Sequence, residues 1–298
     1  MTPPSRSPTR VRAWLQLLRP ANVVTAFADV LAGWAVAGLA PSASLVWLLG
    51  ATACLYAGGV VLNDVFDRHL DAIERPERPI PSGKISPTTA GFVGAGLLLT
   101  GILAAAGHGA TPALVAAGIA LAVLIYDGWG KHQVLLGPLN MGLCRALNLG
   151  LGIAAAPAVL ASHWPLMVFP LVYIAAVTVL SRGEVHGGKR PVARLALVMT
   201  GLVVAGLAVL AGAQTSGLPF VAALLVAGIL GWRVLGPMAR AARALDPASI
   251  RQAVRAGVLS LVLLDTVIAI TYADIMYGWA VLATGFVASR LARWFAVT

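Results

Sequence analysis

An acidic segment after the second apolar stretch of the chain has the residue types and spacing that could do chemistry. It reads Asn63-Asp64-x-x-Asp67-x-x-x-Asp71, in a region that holds five of the 11 acidic residues. If the preceding helix continues to Asp71, the three carboxylates fall within about 60° of one another around its axis. Like charges placed in this way repel each other, and the repulsion is poorly screened near a bilayer. The pattern therefore predicts a cation over the aspartates.

Two sources of that cation are open from the residues alone. Arginines of the following loop could neutralise the carboxylates, or a hard divalent cation could bind them. Mg²⁺ is usually held by one or two carboxylates and keeps its other positions for water and phosphate. The aligned spacing at a helix end, beside apolar stretches, favours a metal that also binds a phosphate group.

The elements that must position these residues are long apolar helices. Of the 298 residues, 59% are hydrophobic and 11% are charged, whereas a soluble domain has about 25% charged residues. This composition excludes an ordinary cytosolic enzyme. We predict an all-α, polytopic transmembrane helical bundle of ten spans, with nine as the alternative because Arg290 and Arg293 interrupt the last stretch. The apolar stretches are 22–39, 44–62, 89–107, 111–126, 137–156, 164–181, 195–213, 217–235, 253–272 and 277–295.

The basic residues predict the orientation. All but one of the 21 Lys and Arg residues fall on one side of this arrangement, and the loops 40–43, 108–110, 157–163, 214–216 and 273–276 have none. The positive side of a membrane protein is cytoplasmic. We therefore expect a multi-pass protein of the cytoplasmic (inner) membrane, with both termini and the loops 63–87 and 182–194 in the cytoplasm. Residues 1–21 would form a cytoplasmic N-terminal segment, and 22–298 a single transmembrane domain.

The net charge of +10 is spread over several loops at a membrane surface. Such a distribution favours contact with membrane lipid. We expect no binding to nucleic acid.

The acidic segment is similar to the first aspartate-rich motif of the UbiA-type intramembrane prenyltransferases. Its continuation, Arg78-Pro79-Ile80-Pro81-Ser82-Gly83, also resembles the continuation in that family. The N-terminal Arg19-Pro20-x-Asn22, and Tyr126 with Lys131 after the fourth stretch, are similar to further family signatures. Within the family the chain most resembles the UbiA-like EboC branch, through Asn63–Ser86, Ser181–Arg190 and the tenth span.

This resemblance implies a central cavity, open to the cytoplasmic side and laterally to lipid, with Mg²⁺ as cofactor and a polyprenyl diphosphate as donor. Asp64 and Asp67 match metal ligands of the family, and Asp71 completes the motif. The resemblance implies that these three aspartates are the catalytic residues. Candidate partners of the donor are Asn63, Arg68, Arg78 and Lys131. Ionising an allylic C–O bond requires stabilisation of the leaving diphosphate, which Mg²⁺, Lys and Arg supply electrostatically.

The second aspartate-rich motif of the family is altered in this chain. Glu184 matches its first acid, and Gly188 occupies the position of the second. Glu184 could hold a second Mg²⁺ through waters, or Lys189 and Arg190 could act as fixed positive charge on the diphosphate, or the segment could be an ordinary basic loop. If the segment is helical, Gly188→Asp would place a carboxylate on the same face as Glu184.

Polar residues within the predicted spans form a further group. Such residues usually face a bundle interior or a cavity. They could therefore line the pocket for an acceptor, and they are Asn22, Asp29, Asn140, Arg145 and Asn148. Alternatively, Arg145 could pair with Asp29 and hold helices together.

The leading hypothesis is a membrane prenyltransferase that moves an isoprenoid group from a polyprenyl diphosphate to an unidentified lipophilic or aromatic acceptor, with release of pyrophosphate. A membrane terpene cyclase with the same ionisation chemistry is one alternative. The other alternative is a non-catalytic carrier or assembly protein that binds the diphosphate, which the altered second motif would explain.

Overall fold

Residues 10–294 are described in a computed structural model, and this part of the chain is helical with no strand. The first helices are α1 (Arg10–Leu18), α2 (Pro20–Val36), α3 (Leu45–Phe66), α4 (Arg68–Glu74), α5 (Pro87–His108), α6 (Ala110–Gly128) and α7 (Leu136–Ile153). They are followed by α8 (Pro157–His163), α9 (Val168–Ser181), α10 (Arg190–Gln214), α11 (Gly217–Ala244), α12 (Pro247–Tyr272) and α13 (Ile275–Leu291). The predicted N-terminal segment 1–21 lies partly outside the described residues, and from Arg10 onward it forms α1.

In the described part of the chain, nine of the ten predicted apolar stretches coincide with one α-helix each, and the stretch 164–181 forms a short 3₁₀ helix, Trp164–Met167, followed by α9. Seven helical segments there are long and apolar enough to cross a membrane, and α13 is a shorter apolar helix. Large apolar side chains on the outside, such as Phe92, Leu202 and Trp232, are 77%, 66% and 80% exposed. Exposure of so many large apolar side chains to water would be unfavourable, so lipid must cover them. The protein is therefore an integral membrane protein, and the count of ten spans stays a prediction.

The bundle is centred on α2 and α12, which pack against α7, α9, α11 and α13. Where α2 crosses α7, glycines permit a close approach of the two backbones. A Cβ atom on Gly33 would overlap the carbonyl oxygen of Leu149, and one on Gly152 would overlap that of Val30. The hydrophobic effect does not drive helices together in lipid. Close packing at small residues stabilises such crossings instead.

The acidic segment lies where α3 ends and α4 begins. The backbone leaves helical geometry at Asp67, which joins the two helices. Two hydrogen bonds nevertheless continue the helical pattern across the joint, because the Asp67 N–H donates to Asn63 O at 2.9 Å and the Asp71 N–H donates to Asp67 O at 2.8 Å. The three aspartates therefore remain close together at one end of the bundle.

The segment after α9 is not helical, so the helical reading of Glu184 and Gly188 is wrong. Residues 182–186 form turns, and α10 begins only at Arg190. The Gly188 N–H donates to Leu245 O at 2.9 Å, and a Cβ there would lie 2.9 Å from the Ile250 side chain. A carboxylate at position 188 would meet α12 rather than share a face with Glu184.

Candidate active site

The bundle encloses a cavity of about 470 Å³ between α2, α3, α6, α7, α9 and α12. We call its polar end the mouth, which is formed by Arg19, Asn63, Asp67, Asp71, Arg75, Arg78, Asp127 and Glu184. Apolar side chains line the walls, among them Leu55, Val60, Ile119, Val123, Ile174, Val177 and Val258. The opposite end is lined by Thr52, Arg145 and Asn148. On α3, Thr52 precedes Asn63 by eleven residues, so the cavity extends about 16 Å along that helix.

Arginines hold two of the three motif aspartates in the mouth. Asp64 Oδ1 lies 2.6 Å from Arg19 Nη2 and 3.4 Å from Arg78 Nη1, and the same Arg78 nitrogen lies 2.7 Å from Asp71 Oδ2. Asp64 and Asp71 are both 4% exposed. Asp71 lines the cavity, whereas Asp64 is not among the described residues that line it. Arg78 thus bridges the first and last aspartates of the motif.

The third aspartate pairs with a lysine from another helix end. Lys131 lies in a short 3₁₀ helix, Gly130–His132, directly after α6. Its Nζ is 2.6 Å from Asp67 Oδ1, and the Asp67 side chain keeps 20% of its surface exposed. Asp67 is therefore the motif aspartate that solvent or a ligand reaches most easily.

Asp127 is a residue of the mouth that the sequence analysis missed. It lies in the last turn of α6, is 3% exposed, and accepts a hydrogen bond from Asn63 Nδ2 at 2.8 Å. Its other carboxylate oxygen, Oδ2, is buried and has no hydrogen-bond partner in the part of the chain described. The signal for it in the sequence is an acid in the last turn of an apolar helix, next to Tyr126 and four residues before Lys131.

Glu184 reaches the cavity from the turns after α9. Its side-chain oxygen Oε1 is buried without a hydrogen-bond partner among residues 10–294, and its backbone carbonyl accepts from Arg251 Nη1 at 2.8 Å. Burial raises the pKa of the Glu184 carboxyl above its ordinary value, and the nearby Arg75 and Arg251 guanidiniums oppose part of this shift.

Other predicted site residues lie away from the mouth. Arg68 is exposed and donates to Val65 O at 3.1 Å. Lys189 and Arg190 are exposed and are not among the described residues that line the cavity. Asn140 is half-buried on α7, with Oδ1 3.9 Å from Cys144 Sγ, and Asn22 is buried on α2 and lines the cavity.

At the far end, buried polar groups form a second cluster, the floor network of Thr25, Asp29, Thr52, Arg145 and Asn148. Arg145 donates to Asp29 Oδ2 at 2.7 Å and to Thr25 Oγ1 at 2.8 Å. Asn148 donates to Asp29 Oδ2 at 2.8 Å and accepts from Thr52 at 2.6 Å. Arg145 therefore ties α7 to α2, as in the second of the two alternatives, while part of its side chain lines the cavity.

The residues of the mouth fit a magnesium ion in chemistry, although no cluster of three or more potential ligands is preassembled among residues 10–294. Mg²⁺ needs only one or two carboxylates when phosphate and water fill its other positions. Asp67, Asp71, Asp127 and Glu184 all line the cavity. Asp127 Oδ2 and Glu184 Oε1 are buried hard donors with no hydrogen-bond partner among residues 10–294. A cation would satisfy them.

Comparison with known proteins identifies relatives of this chain. A family model described as the UbiA prenyltransferase family matches residues 22–250. The digeranylgeranylglyceryl phosphate synthase of Methanopyrus kandleri is 34% identical over 155 residues, which cover 50% of this chain and 56% of that protein. The protein of the same name from Sulfolobus acidocaldarius is 32% identical over 182 residues, covering 59% of this chain and 63% of that protein. The chain thus spans less than two thirds of the length of these relatives.

Solved structures share the fold. A UbiA homologue from Aeropyrum pernix K1, in its apo form, has a TM-score of 0.69 at 14% identity, covering 90% of this chain and 98% of that one. A UbiA homologue from Archaeoglobus fulgidus, bound to GPP and Mg²⁺, has a TM-score of 0.59 at 15% identity, covering 91% and 99%. At these identities the likeness establishes the helical architecture.

Proposed function

The chain belongs to the UbiA prenyltransferase family, and on that premise we propose that it is a membrane prenyltransferase. It would move an isoprenoid group from a polyprenyl diphosphate to a lipophilic acceptor and release pyrophosphate. The observation that carries this proposal is a cavity with apolar walls and a mouth lined by both acidic and basic side chains. A prenyl diphosphate fits this cavity, because its apolar chain suits the walls and its anionic end suits the mouth.

Mg²⁺ at the mouth would neutralise charge on the leaving diphosphate, a contribution worth several kcal/mol. Asp67 and Asp71 are the motif aspartates that line the cavity, and Glu74, Asp127 and Glu184 are the other acids there. Asp64 would become a ligand only by releasing Arg19 and Arg78. The Archaeoglobus fulgidus homologue bound to GPP and Mg²⁺ supports the use of this metal.

Binding of the donor would exchange ion-pair partners at the mouth. Arg19, Arg78 and Lys131 each pair with a motif aspartate. If a metal ion held these carboxylates, the guanidinium and ammonium groups would be available to phosphate oxygens and would form strong charge-assisted hydrogen bonds with them. The same residues would then hold the diphosphate while the C–O bond breaks, which is electrostatic stabilisation of the developing charge.

The apolar walls would hold the isoprenoid chain and exclude water from the allylic cation. A water molecule at that point would hydrolyse the intermediate. Leu55 and Val60 of α3, Ile174 of α9 and Val258 of α12 belong to this surface. Placing the chain among them also removes its apolar surface from water, at roughly 25 cal/mol per Å².

The names of the relatives suggest the first acceptor to test. Those relatives are called synthases of digeranylgeranylglyceryl phosphate, and we propose a glyceryl phosphate lipid as acceptor class for this chain. Arg75 supports this choice, because it lines the cavity and no salt bridge within 4 Å holds it among residues 10–294. Its guanidinium could bind the acceptor phosphate. Membership of the EboC branch stays a prediction.

We also propose that residues 22–298 form one transmembrane domain in the cytoplasmic membrane, with the mouth on the cytoplasmic side. The one-sided distribution of Lys and Arg supports this orientation. A cysteine introduced near Thr298 should then be labelled only from the cytoplasm.

Incubation of purified protein with labelled prenyl diphosphates and Mg²⁺ tests the proposed activity. A prenylated glyceryl phosphate together with pyrophosphate supports it. A cyclised hydrocarbon with pyrophosphate would instead identify a terpene cyclase, and binding without release of pyrophosphate would identify a carrier.

A further inference from the structure

A second cavity, the basic cleft, lies between the start of α10 and the end of α11. It has a volume of about 330 Å³ and is lined by Arg190, Arg194, Leu197, Ala239, Ala242 and Arg243. Residues three and four apart share one face of a helix. The α10 members follow that spacing from 190 to 197, and the α11 members follow it from 239 to 243. One face of each helix therefore lines the cleft, and the small alanine side chains on α11 leave room in it.

The cleft carries three positive charges and no acid. In the part of the chain described, no salt bridge within 4 Å joins Arg190, Arg194 or Arg243 to a carboxylate. The first turn of α10 has no acidic residue, and no side chain caps that end of the helix. The helix dipole adds positive potential at the same end. Three like charges around one cavity repel one another unless an anion lies between them.

The cleft is distinct from the candidate active site, because none of its lining residues lines the larger cavity. Both nevertheless lie at the same end of the bundle, since the turn that carries Glu184 leads directly into α10. This is the end where Lys and Arg predict the cytoplasmic membrane surface.

An apolar surface extends from the cleft toward the membrane core. Val198 follows Arg194 by one turn of α10 and is 57% exposed, and Trp232 lies three turns before Arg243 on the same face of α11 and is 80% exposed. A ligand that fits both parts has an anionic head and apolar tails. We propose that the basic cleft binds the headgroup of an anionic phospholipid, whose acyl chains cover these exposed faces. Basic pockets between transmembrane helices suit such headgroups.

The experiment compares two double variants with equal loss of charge. Arg194→Gln/Arg243→Gln removes two residues of the cleft, whereas Arg233→Gln/Arg240→Gln removes two exposed arginines of α11 outside it. Native mass spectrometry of the purified proteins, titrated with phosphatidylglycerol or phosphatidylcholine, measures the affinity for each lipid. Inorganic phosphate at millimolar concentration is added as a competitor in a further arm.

The wild type should bind phosphatidylglycerol more tightly than phosphatidylcholine. Each basic residue near an anionic lipid contributes roughly a fivefold gain in affinity, so the cleft variant should bind phosphatidylglycerol about twenty-fivefold more weakly. The control variant should keep the wild-type affinity. Equal losses in both variants, or no preference for phosphatidylglycerol in the wild type, would overturn the proposal. Displacement of the lipid by inorganic phosphate would identify a free-phosphate site and also overturn it.

Both variants must unfold at the wild-type temperature in detergent for the comparison to hold. The four arginines are exposed, so the substitutions to Gln should leave the fold unchanged. If the cleft variant unfolds early, Arg194→Lys/Arg243→Lys takes its place. That variant keeps the charge and should retain most of the lipid affinity, and a twenty-fivefold loss there would contradict an electrostatic site.

Discussion

Acidic and basic side chains meet at the two ends of the main cavity, and only one end is open to water. At the mouth, Asp67 and Lys131 keep 20% and 11% of their side-chain surface exposed. In the floor network, Asp29 and Arg145 keep 0% and 7%. The residue types and the distances are nearly the same at both ends, since the Asp67–Lys131 pair spans 2.6 Å and the Asp29–Arg145 pair spans 2.7 Å.

Access to water decides what each ion pair can do. A pair that water partly reaches can exchange its partners for water, metal or phosphate at a lower cost than a fully buried pair, because solvent can replace the lost partner. A buried pair cannot be separated in this way, because the charge left behind has no solvent. The mouth is therefore suited to ligand exchange, and the floor network is suited to holding α2, α3 and α7 in place.

The largest effect should follow from breaking the floor network. Arg145→Met leaves the Asp29 carboxylate buried and unpaired, which should lower the free energy of unfolding by about 3–5 kcal/mol. Unfolding in detergent measures this loss. The double variant Asp29→Asn/Arg145→Met should recover part of it, because no unpaired charge remains at that pair. A single variant as stable as the wild type would show that the two ends do not differ in this respect.

At the mouth, Lys131→Met should separate activity from stability. We expect turnover to fall by about 10²–10³-fold, as for the loss of one preorganised group that stabilises developing charge. The free energy of unfolding should fall by less than in Arg145→Met, since water can reach Asp67. Lys84→Met, an exposed lysine of the loop before α5, is the matched control and should turn over like the wild type. A variant that loses stability and activity together would refute the comparison.

A smaller effect is expected for Glu184→Gln. This substitution keeps the size and one oxygen donor of the side chain but removes its charge, while Asp67 and Asp71 stay at the mouth. Product formation against Mg²⁺ concentration should therefore show a loss of turnover smaller than that of Lys131→Met. Glu77→Gln, an exposed acid of the same end of the bundle, serves as control. If Glu184→Gln behaves like this control, Glu184 is a residue of the turn and takes no part in binding the metal.

The smallest effect concerns Asp246, an exposed acid, which adds a fully solvated carboxylate to the comparison of the partly exposed mouth with the buried floor network. Its side chain caps α12 by accepting from the Ser249 N–H at 2.9 Å and from the Ser249 hydroxyl at 2.7 Å. These hydrogen bonds hold the pKa of Asp246 below its ordinary value. A carboxyl with a lowered pKa in the folded state stabilises the protein above the unfolded pKa, and this contribution is lost as the pH falls through the folded pKa.

Asp246→Asn keeps a capping acceptor but removes the titrating charge. The unfolding temperature of the wild type should thus fall relative to the variant as the pH drops below about 4, the unfolded pKa of an aspartate. Measurements of both proteins from about pH 6 to about pH 2.5, which span that value and the lower folded one, check this. A difference that does not vary with pH would contradict the assigned cap.

The sequence predicts local features of this molecule better than long-range ones. The helices and the aspartate motif follow from apolar runs and from spacing within one helix end, which are properties of neighbouring residues. Arg19 and Asp64 are separated by 45 positions, and Asn63 and Asp127 by 64. Such pairs depend on which helices pack together, which spacing along the chain does not specify. Asp127 was missed for this reason, because its partner Asn63 belongs to another helix.

The segment after α9 illustrates the opposite error. The motif spacing predicts a helix there, but the residues form turns. Gly187 has a φ of +87°, and the Gly188 N–H donates a hydrogen bond to Leu245 O. Lys189 and Arg190 follow those turns, are exposed and do not line the main cavity. Their proximity in sequence to Glu184 therefore does not make them neighbours of it at the mouth.

The central claim is that the mouth binds a diphosphate together with Mg²⁺, and Asp67→Asn tests it most directly. The affinity for a non-reactive prenyl diphosphate analogue is measured by isothermal titration with and without Mg²⁺, for this variant, for the wild type and for Asp246→Asn as a matched exposed control. We expect Mg²⁺ to strengthen binding to the wild type and to the control. In Asp67→Asn the gain from Mg²⁺ should be lost while the protein stays folded in detergent. An unchanged gain from Mg²⁺ in Asp67→Asn would contradict the account.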